Sequence, residues 1–324
     1  MTELSIQEAA HPTVRRLENA LRQGVQGQDS FLRGLLVALL ANGHVLIEGV
    51  PGLGKTRAVH LLARHCQVWF QRVQFTPDLL PADILGTRIY NQQSGQFETV
   101  QGPAFTNFLL ADEINRAPAK VQSALLETMQ ERQITIGQES IPVPRPFLVF
   151  ATQNPVEQEG TYPLPEAQLD RFLVKLQVEY PRLADEVSIV QMVIDETEMP
   201  MADELVSRQQ LEELQAEVRG IFIEERLVDY ATRLVRATRD SSQVGLSLDP
   251  FIELGASPRG SISLVQAARA TALIAGRDAV IPDDLKAVAP DVLRHRIVRT
   301  YIAEAEAVTC DQMIAEILSA VRVP

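Results

Sequence analysis

Between residues 49 and 56 the chain reads Gly-Val-Pro-Gly-Leu-Gly-Lys-Thr, three glycines and a proline crowded ahead of one lysine and one hydroxyl. The spacing G-x-x-x-x-G-K-[ST] suits a loop whose backbone N–H groups turn inward on an anion, with a helix starting near Lys55 adding the positive end of its dipole. Such a loop holds phosphates through Gly49, Val50, Pro51, Gly52, Leu53, Gly54, Lys55 and Thr56, with Arg57 following directly. Lys55 is placed to reach the β- and γ-phosphates of a nucleotide, and Thr56 to offer its hydroxyl to Mg²⁺. Fifty-seven residues beyond Lys55, the apolar run in "FTNFLLADEINRAP" (105–118) ends in Asp112-Glu113. Asp112 suits the water shell of a metal ion, and Glu113 suits the task of polarising an attacking water. Asn154 closes "PFLVFATQN" (146–154), where its amide can hydrogen-bond a γ-phosphate or that water; alternatively Asn154-Pro155 starts a turn.

These groups need a frame that brings them together. "HVLIEG" (44–49) reads as a buried strand and "KTRAVHLLARH" as a helix. "VWFQRVQF" (68–75), the run ending at Asp112, "PFLVFATQN" and "RFLVKLQVEY" (171–180) read as further strands. Strands alternating with helices predict a parallel α/β sheet whose carboxyl ends gather the ligand site. Two segments read as β-hairpins: "TRIYNQQSGQFETVQGP" (87–103), around a Ser-Gly turn, and "ERQITIGQESIPVP" (131–144), where Ile134 with Ile136 and Ile141 with Val143 flank a turn beginning at Gly137. From about Pro181 the pattern is helical, with apolar residues three and four apart, acids at helix starts and arginines toward several ends. The reading is an α/β nucleotide-binding core over 1–181 and, over 182–324, a helical insertion and α-helical lid. The Ser-rich "RDSSQVGLSLDP" (239–250) is expected to be a flexible loop.

Composition narrows the function classes. With 46% hydrophobic and 22% charged residues among 324, the chain has the make-up of an ordinary globular protein. Its formal charge of −12 is uneven: residues 1–180 carry 15 basic and 18 acidic groups, residues 181–324 carry 15 and 24. That balance argues against non-specific binding of duplex nucleic acid, which needs a basic face. The apolar stretch "LLVALLA" (35–41) is far shorter than the roughly 20 residues of a membrane span, so none is expected. A polar, acidic opening gives no signal peptide, and Cys66 with Cys310 gives neither metal spacing nor a disulfide framework, so a reducing, cytoplasmic compartment is expected.

Taken in order, the motifs resemble those of the AAA+ ATPases, and within them the MoxR group. "VQGQD" (25–29) resembles the short box before the first helix; "GVPGLGKT" and "LLADEINRAP" resemble the phosphate loop and metal motif; "ATQNP" resembles sensor 1. "YPLPEAQLDRF" (162–172) resembles the stretch carrying an arginine finger, "GASPRG" (255–260) resembles sensor 2, and "DVLRHRI" (291–297) adds a closing similarity. The resemblance implies a P-loop AAA+ core with a parallel sheet and β-hairpin insertions, followed by an all-α lid domain. It implies ATP and Mg²⁺ as ligands, Val25 and Gly27 of the box against adenine, Thr56 and Asp112 at the metal, and Glu113 and Asn154 at the attacking water.

It further implies that Arg171 is a finger for the γ-phosphate held by a neighbouring subunit, and that Arg259 couples lid to nucleotide, whether in its own subunit or the next. Read locally, Arg171 pairs with Asp170 or Glu166, and Arg259 is a solvated residue opening a helix after Ser257-Pro258. A finger supplied in trans implies a ring, expected to be a homo-hexamer. A partner protein with a von Willebrand factor A domain is expected. The resemblance implies hairpins that face a central pore, with Tyr90 and Phe97 as candidate substrate-gripping or transmission side chains; read locally, either one serves ordinary cross-strand packing. The expected activity is ATP hydrolysis coupled to chaperone-like remodelling or maturation of a partner. The alternatives are a nucleotide-dependent switch that scaffolds a complex, or a chelatase-like motor subunit for metal insertion.

Overall fold

The computed structural model describes residues 10–93, 95–155, 160–194 and 204–324. At its centre lies a five-stranded parallel sheet built from β1 (Val45–Glu48), β2 (Phe70–Gln74), β5 (Phe108–Asp112), β8 (Leu148–Gln153) and β9 (Val174–Gln177), in the order β2-β5-β8-β1-β9. β5 and β8 are buried almost throughout, as strands covered on both faces must be, and their sequences are correspondingly apolar without alternation. Alternate residues still part to opposite sides. Phe108, Leu110, Leu148 and Phe150 join one core with the helices Pro12–Gly24, Asp29–Leu40 and Lys55–His65, whereas Leu109, Ala111, Val149 and Ala151 join another with the helix Ala119–Glu131.

Two hairpins leave this frame. β3 (Gly86–Asn91) pairs with β4 (Gln96–Gln101) so that Tyr90 faces Phe97 edge-on, both more than half exposed. β6 (Gln133–Ile136) pairs with β7 (Glu139–Pro142), placing Ile134 opposite Ile141 around Gly137, whose φ is +65°. Ser94 of the expected Ser-Gly turn lies outside the described residues.

Beyond β9 the chain is helical, with one short antiparallel ladder between β10 (Ile252–Leu254) and β11 (Val298–Arg299). The helices Arg208–Gly220, Glu225–Ala237, Pro258–Ile274, Pro282–Leu293 and Cys310–Ala320 share the core that covers the first face of the sheet. Gln215 Nε2, for example, donates to the Leu39 carbonyl at 2.8 Å across that contact. β9 is an edge strand, and the carbonyl of Lys175 on it, with those of Phe172 and Leu173 just before it, is met by side chains of the segment after Pro282–Leu293. Arg294 donates to Lys175 O at 2.7 Å, and His295 and Arg296 reach Phe172 O and Leu173 O.

Three expectations change. A helix precedes the box as well as following it, because Val14, Leu17 and Leu21 make a narrow buried stripe on an otherwise polar segment. The last sheet strand begins at Val174 and not at residue 171; the N–H groups of Arg171 and Phe172 instead bond back to Gln168 O and Leu169 O, closing a turn. The Ser-rich loop is pinned: Ser241 Oγ is buried, donates to Asp249 at 2.8 Å and accepts the Leu248 N–H at 2.9 Å.

Candidate functional site

At the carboxyl end of β1 the phosphate loop turns back into the helix Lys55–His65. Gly54 caps that helix with φ +79°, a conformation costly for a residue with a Cβ. Gly49 is required for space, since a Cβ there would stand 2.9 Å from Val178 O. Lys55 Nζ rests on the loop's own carbonyls, donating to Gly49 O and, at 3.0 Å, to Val50 O. Burial lowers its pKa from the ordinary amine value, while the charges of Asp112 and Glu113 act in the opposite sense.

The two acids are held by one hydroxyl. Thr152, at the end of the neighbouring β8, donates to Asp112 Oδ1 at 2.6 Å and accepts the Glu113 N–H at 2.8 Å. Glu113 sits at φ +57°, so the chain turns sharply after Asp112. From the other side β2 contributes Arg72, whose guanidinium contacts Asp112 Oδ2 at 2.6 and 3.0 Å, and Gln74, whose amide donates to Glu113 Oε2 at 2.8 Å. Arg116 donates to the same Glu113 oxygen at 3.1 Å. Asn154 follows β8 directly, is buried, and lines the same cleft of about 350 Å³ as residues 51–57, Asp112 and Glu113.

Val25 lies beside Gly54, 3.8 Å from where a Cβ would stand. Gly27, at φ +71°, is packed against Asp185 and lines a larger cavity of about 620 Å³ shared with Gln28, Glu179 and Arg294. Among the described residues no helix is long and apolar enough to cross a membrane.

The two arginines lie elsewhere. Arg171 and Arg259 line a pocket of about 320 Å³ at the amino end of the sheet, together with Arg132, Asp170 and Arg296. β9 separates the two places: the Leu173 N–H bonds to His44 O at the near end of β1, while Val178 packs on Gly49 at the far end. Five strand residues span about 17 Å at 3.3 Å each, beyond the reach of an arginine side chain. Asp170 does not pair with Arg171; it binds Arg296 at 2.8 Å, Ser257 at 2.8 Å and, at 3.7 Å, Arg259. Among the described residues the buried Arg171 Nε has no hydrogen-bond partner. Arg259 opens the helix Pro258–Ile274, which Ser257 caps by accepting the Arg259 N–H at 3.1 Å.

The site residues thus fall into two groups, and the sequence reading missed Arg72, Gln74 and Thr152. Their signal was indirect: Gln74 is in register with Asp112, which becomes informative only once β2 is known to neighbour β5.

This geometry is that of a P-loop α/β core carrying a helical lid. Comparison with known proteins agrees: residues 44–174 match the model of the ATPase family associated with various cellular activities (AAA), and residues 247–317 match that of the AAA lid domain. The chaperone MoxR1 of Mycobacterium tuberculosis is 50% identical over 315 residues, covering 96% of this chain and 83% of that protein. Protein MoxR of Methylorubrum extorquens is 33% identical over 301 residues, covering 87% and 86%. A crystal structure of a putative ATPase from Cytophaga hutchinsonii superimposes with a TM-score of 0.90 at 45% identity, covering 99% of this chain and 96% of that one. The chain belongs to the MoxR group of the AAA+ ATPases.

Proposed function

We propose that the protein is a Mg²⁺-dependent ATPase of a homo-hexameric ring, in which each nucleotide is held by one subunit's phosphate loop and completed by Arg171 and Arg259 of the next. The observation that carries the reading is the separation of the two groups across the sheet: Arg171 and Arg259 stand at the end opposite Lys55, Asp112 and Glu113. A subunit arranged so cannot bring all of them to one phosphate.

In this reading Lys55 leaves the loop carbonyls for the phosphates. Val25 and Gly27 border the base. Thr56 and Asp112 offer one hydroxyl and one carboxylate, too few for a caged metal ion but fitting for Mg²⁺, which completes its shell with phosphate oxygens and water. When bound there, the ion neutralises charge on the β- and γ-oxygens. Glu113 takes a proton from the water oriented by Asn154 as its oxygen attacks the γ-phosphorus; the bond to the β-phosphate oxygen breaks, and ADP carries away that electron pair. Arg171 stabilises the charge spread over the transferring group, an effect worth about 10³ to 10⁵ in rate where such fingers have been measured.

Membership of the MoxR group supports chaperone-like work in the cytoplasm on a partner carrying a von Willebrand factor A domain. The test of the ring is mixing. Arg171→Ala retains Lys55, Asp112 and Glu113, and Glu113→Gln retains its finger, so two nearly inactive proteins regain ATPase activity together. Failure to recover, with co-assembly verified by sizing, places the finger in its own subunit or assigns it to another arginine, and overturns the reading.

A further inference from the structure

The segment "DVLRHRI" takes no part in the chemistry above, yet it supplies the most connected side chain at the amino end of the sheet. Arg296, with side-chain exposure of 1%, uses all of its nitrogens. Its Nε donates to Asp170 Oδ1 at 2.8 Å. Its Nη1 donates to Leu173 O at 3.1 Å and to Val292 O. Its Nη2 donates to Asp170 O at 3.3 Å, to Phe172 O, and to Ser263 Oγ at 3.1 Å. Two of these acceptors, the carbonyls of Asp170 and Phe172, flank Arg171 on either side. A third, Ser263, lies one turn along the helix that Arg259 opens. Asp170 repeats the pattern: Oδ1 binds Arg296, while Oδ2 accepts from Ser257, the cap of that same helix, and faces Arg259.

Each of the two buried groups therefore touches both the turn that carries Arg171 and the helix that carries Arg259. A planar guanidinium with five N–H groups in a fixed fork sets the angle between those elements in a way that a single ammonium cannot. The ordinary role of a buried ion pair is weak support for stability. That role does not explain why, apart from the bond to Val292 O on its own preceding helix, the contacts of this pair gather on the turn bearing Arg171, the strand start after it and the helix bearing Arg259.

We propose that Asp170 and Arg296 are positioning residues that hold Arg171 and Arg259 as one unit aimed at the neighbouring subunit's nucleotide, an inference that rests on the reading in trans given above. Because Arg296 follows the lid helix Pro282–Leu293, the unit moves with the lid. The finger's position is thereby set by the lid of its own subunit.

Asp170→Asn, Arg296→Lys and Ser257→Ala, prepared in the full chain, test this by complementation. Misplacing a catalytic group by about 1 Å costs on the order of 10²-fold in rate, so Asp170→Asn and Arg296→Lys are expected to lose kcat on that scale while binding a fluorescent ATP analogue as the parent does. Ser257→Ala removes a single hydroxyl that also caps the helix Pro258–Ile274, so it is expected to lose less kcat and to melt only slightly lower, and it carries the test if the other two fail to fold. Each variant, mixed with Glu113→Gln, is expected to recover activity, and mixed with Arg171→Ala, to recover none. A merely structural defect does not sort variants into complementation groups. Parental kcat in Ser257→Ala together with either charged variant, loss of nucleotide binding, or recovery with Arg171→Ala overturns the inference. The control pair Arg171→Ala with Glu113→Gln separates the two ideas: if it fails, the reading in trans falls and takes the inference with it; if it recovers and the new variants do not, the inference alone falls.

Discussion

The two ends of the sheet solve opposite problems. At the carboxyl end two acids, joined by a single threonine, stand among Lys55, Arg72, Gln74 and Arg116 around an open cleft. At the amino end the charged groups are arginines, crowded around a single carboxylate and fixed largely by backbone carbonyls. The amino-end pocket thus sets four arginines against one carboxylate, whereas at the carboxyl end acids and bases are interleaved. At the carboxyl end, which in the proposed reading takes the phosphates, Lys55 rests on loop carbonyls. At the amino end, which in that reading supplies the finger, Arg296 is held by fixed carbonyls.

The comparison breaks most completely at Lys55. Removing the only ammonium in the loop leaves the phosphates without their mobile charge, so Lys55→Ala is expected to abolish ATP binding in a fluorescent-nucleotide titration; parental affinity would refute the site. Glu113→Gln keeps the shape and loses the base, and general-base removal costs about 10² to 10⁴ in rate. ATP is therefore expected to bind and stay, and turnover at the parental rate would remove Glu113 from the mechanism. Thr152→Val sharpens the contrast. It deletes two hydrogen bonds to the acids without touching substrate, and at about 1 kcal/mol each the expected loss of kcat is up to about 30-fold, with nucleotide affinity retained. An unchanged kcat would mean that the threonine does not brace the acids.

The smallest effect belongs to the amino end and appears in stability. Burial holds the His44 imidazole neutral, lowering its pKa from 6.5 to about 3, and Arg132 adds to the shift. Its Nδ1 accepts the Val149 N–H at 2.9 Å while Nε2 donates to Met129 O, an arrangement that only the neutral ring can satisfy. His295 is pushed down by burial and then by Arg296. Between pH 6.5 and about 3 the unfolded chain binds a proton at His44 and the folded chain does not, so stability is lost as pH falls through that window, at up to about 1.4 kcal/mol per pH unit, and His295 acts in the same direction. Urea midpoints at pH 7.5 and pH 5.5 are expected to differ in the parent, and to differ less in His44→Gln. An equal difference in both proteins would remove His44 as a cause.

The carboxyl end was legible because its chemistry is contiguous: eight residues of loop and two adjacent acids announce themselves without reference to the rest of the fold. The parallel sheet was readable from its apolar strands, and both hairpins from alternation about Gly95 and Gly137. What the sequence concealed depends on juxtaposition. Nothing local distinguishes Arg296 from its neighbour Arg294, or tells that Asp170 prefers a partner 126 residues away to the arginine beside it. Arg171 was read at the head of a strand, whereas Phe172 N–H and Arg171 N–H close a turn that precedes it. Ser241 was read as part of a loose loop because the partner that closes it, Asp249, lies eight residues on. Long-range hydrogen bonds of this kind leave no periodicity to read.

The arginine and histidine side chains laid beside β9 also bear on how exposed that edge of the sheet is. An edge strand with free carbonyls is a template on which any extended chain can add itself, and pairing of that sort has no natural stopping point. Here the outward acceptors at Phe172, Leu173 and Lys175 are already occupied by side chains of the same molecule. An extended chain pairing along that stretch would first have to displace Arg294, His295 and Arg296 from those carbonyls, so the protein's own side chains shield it.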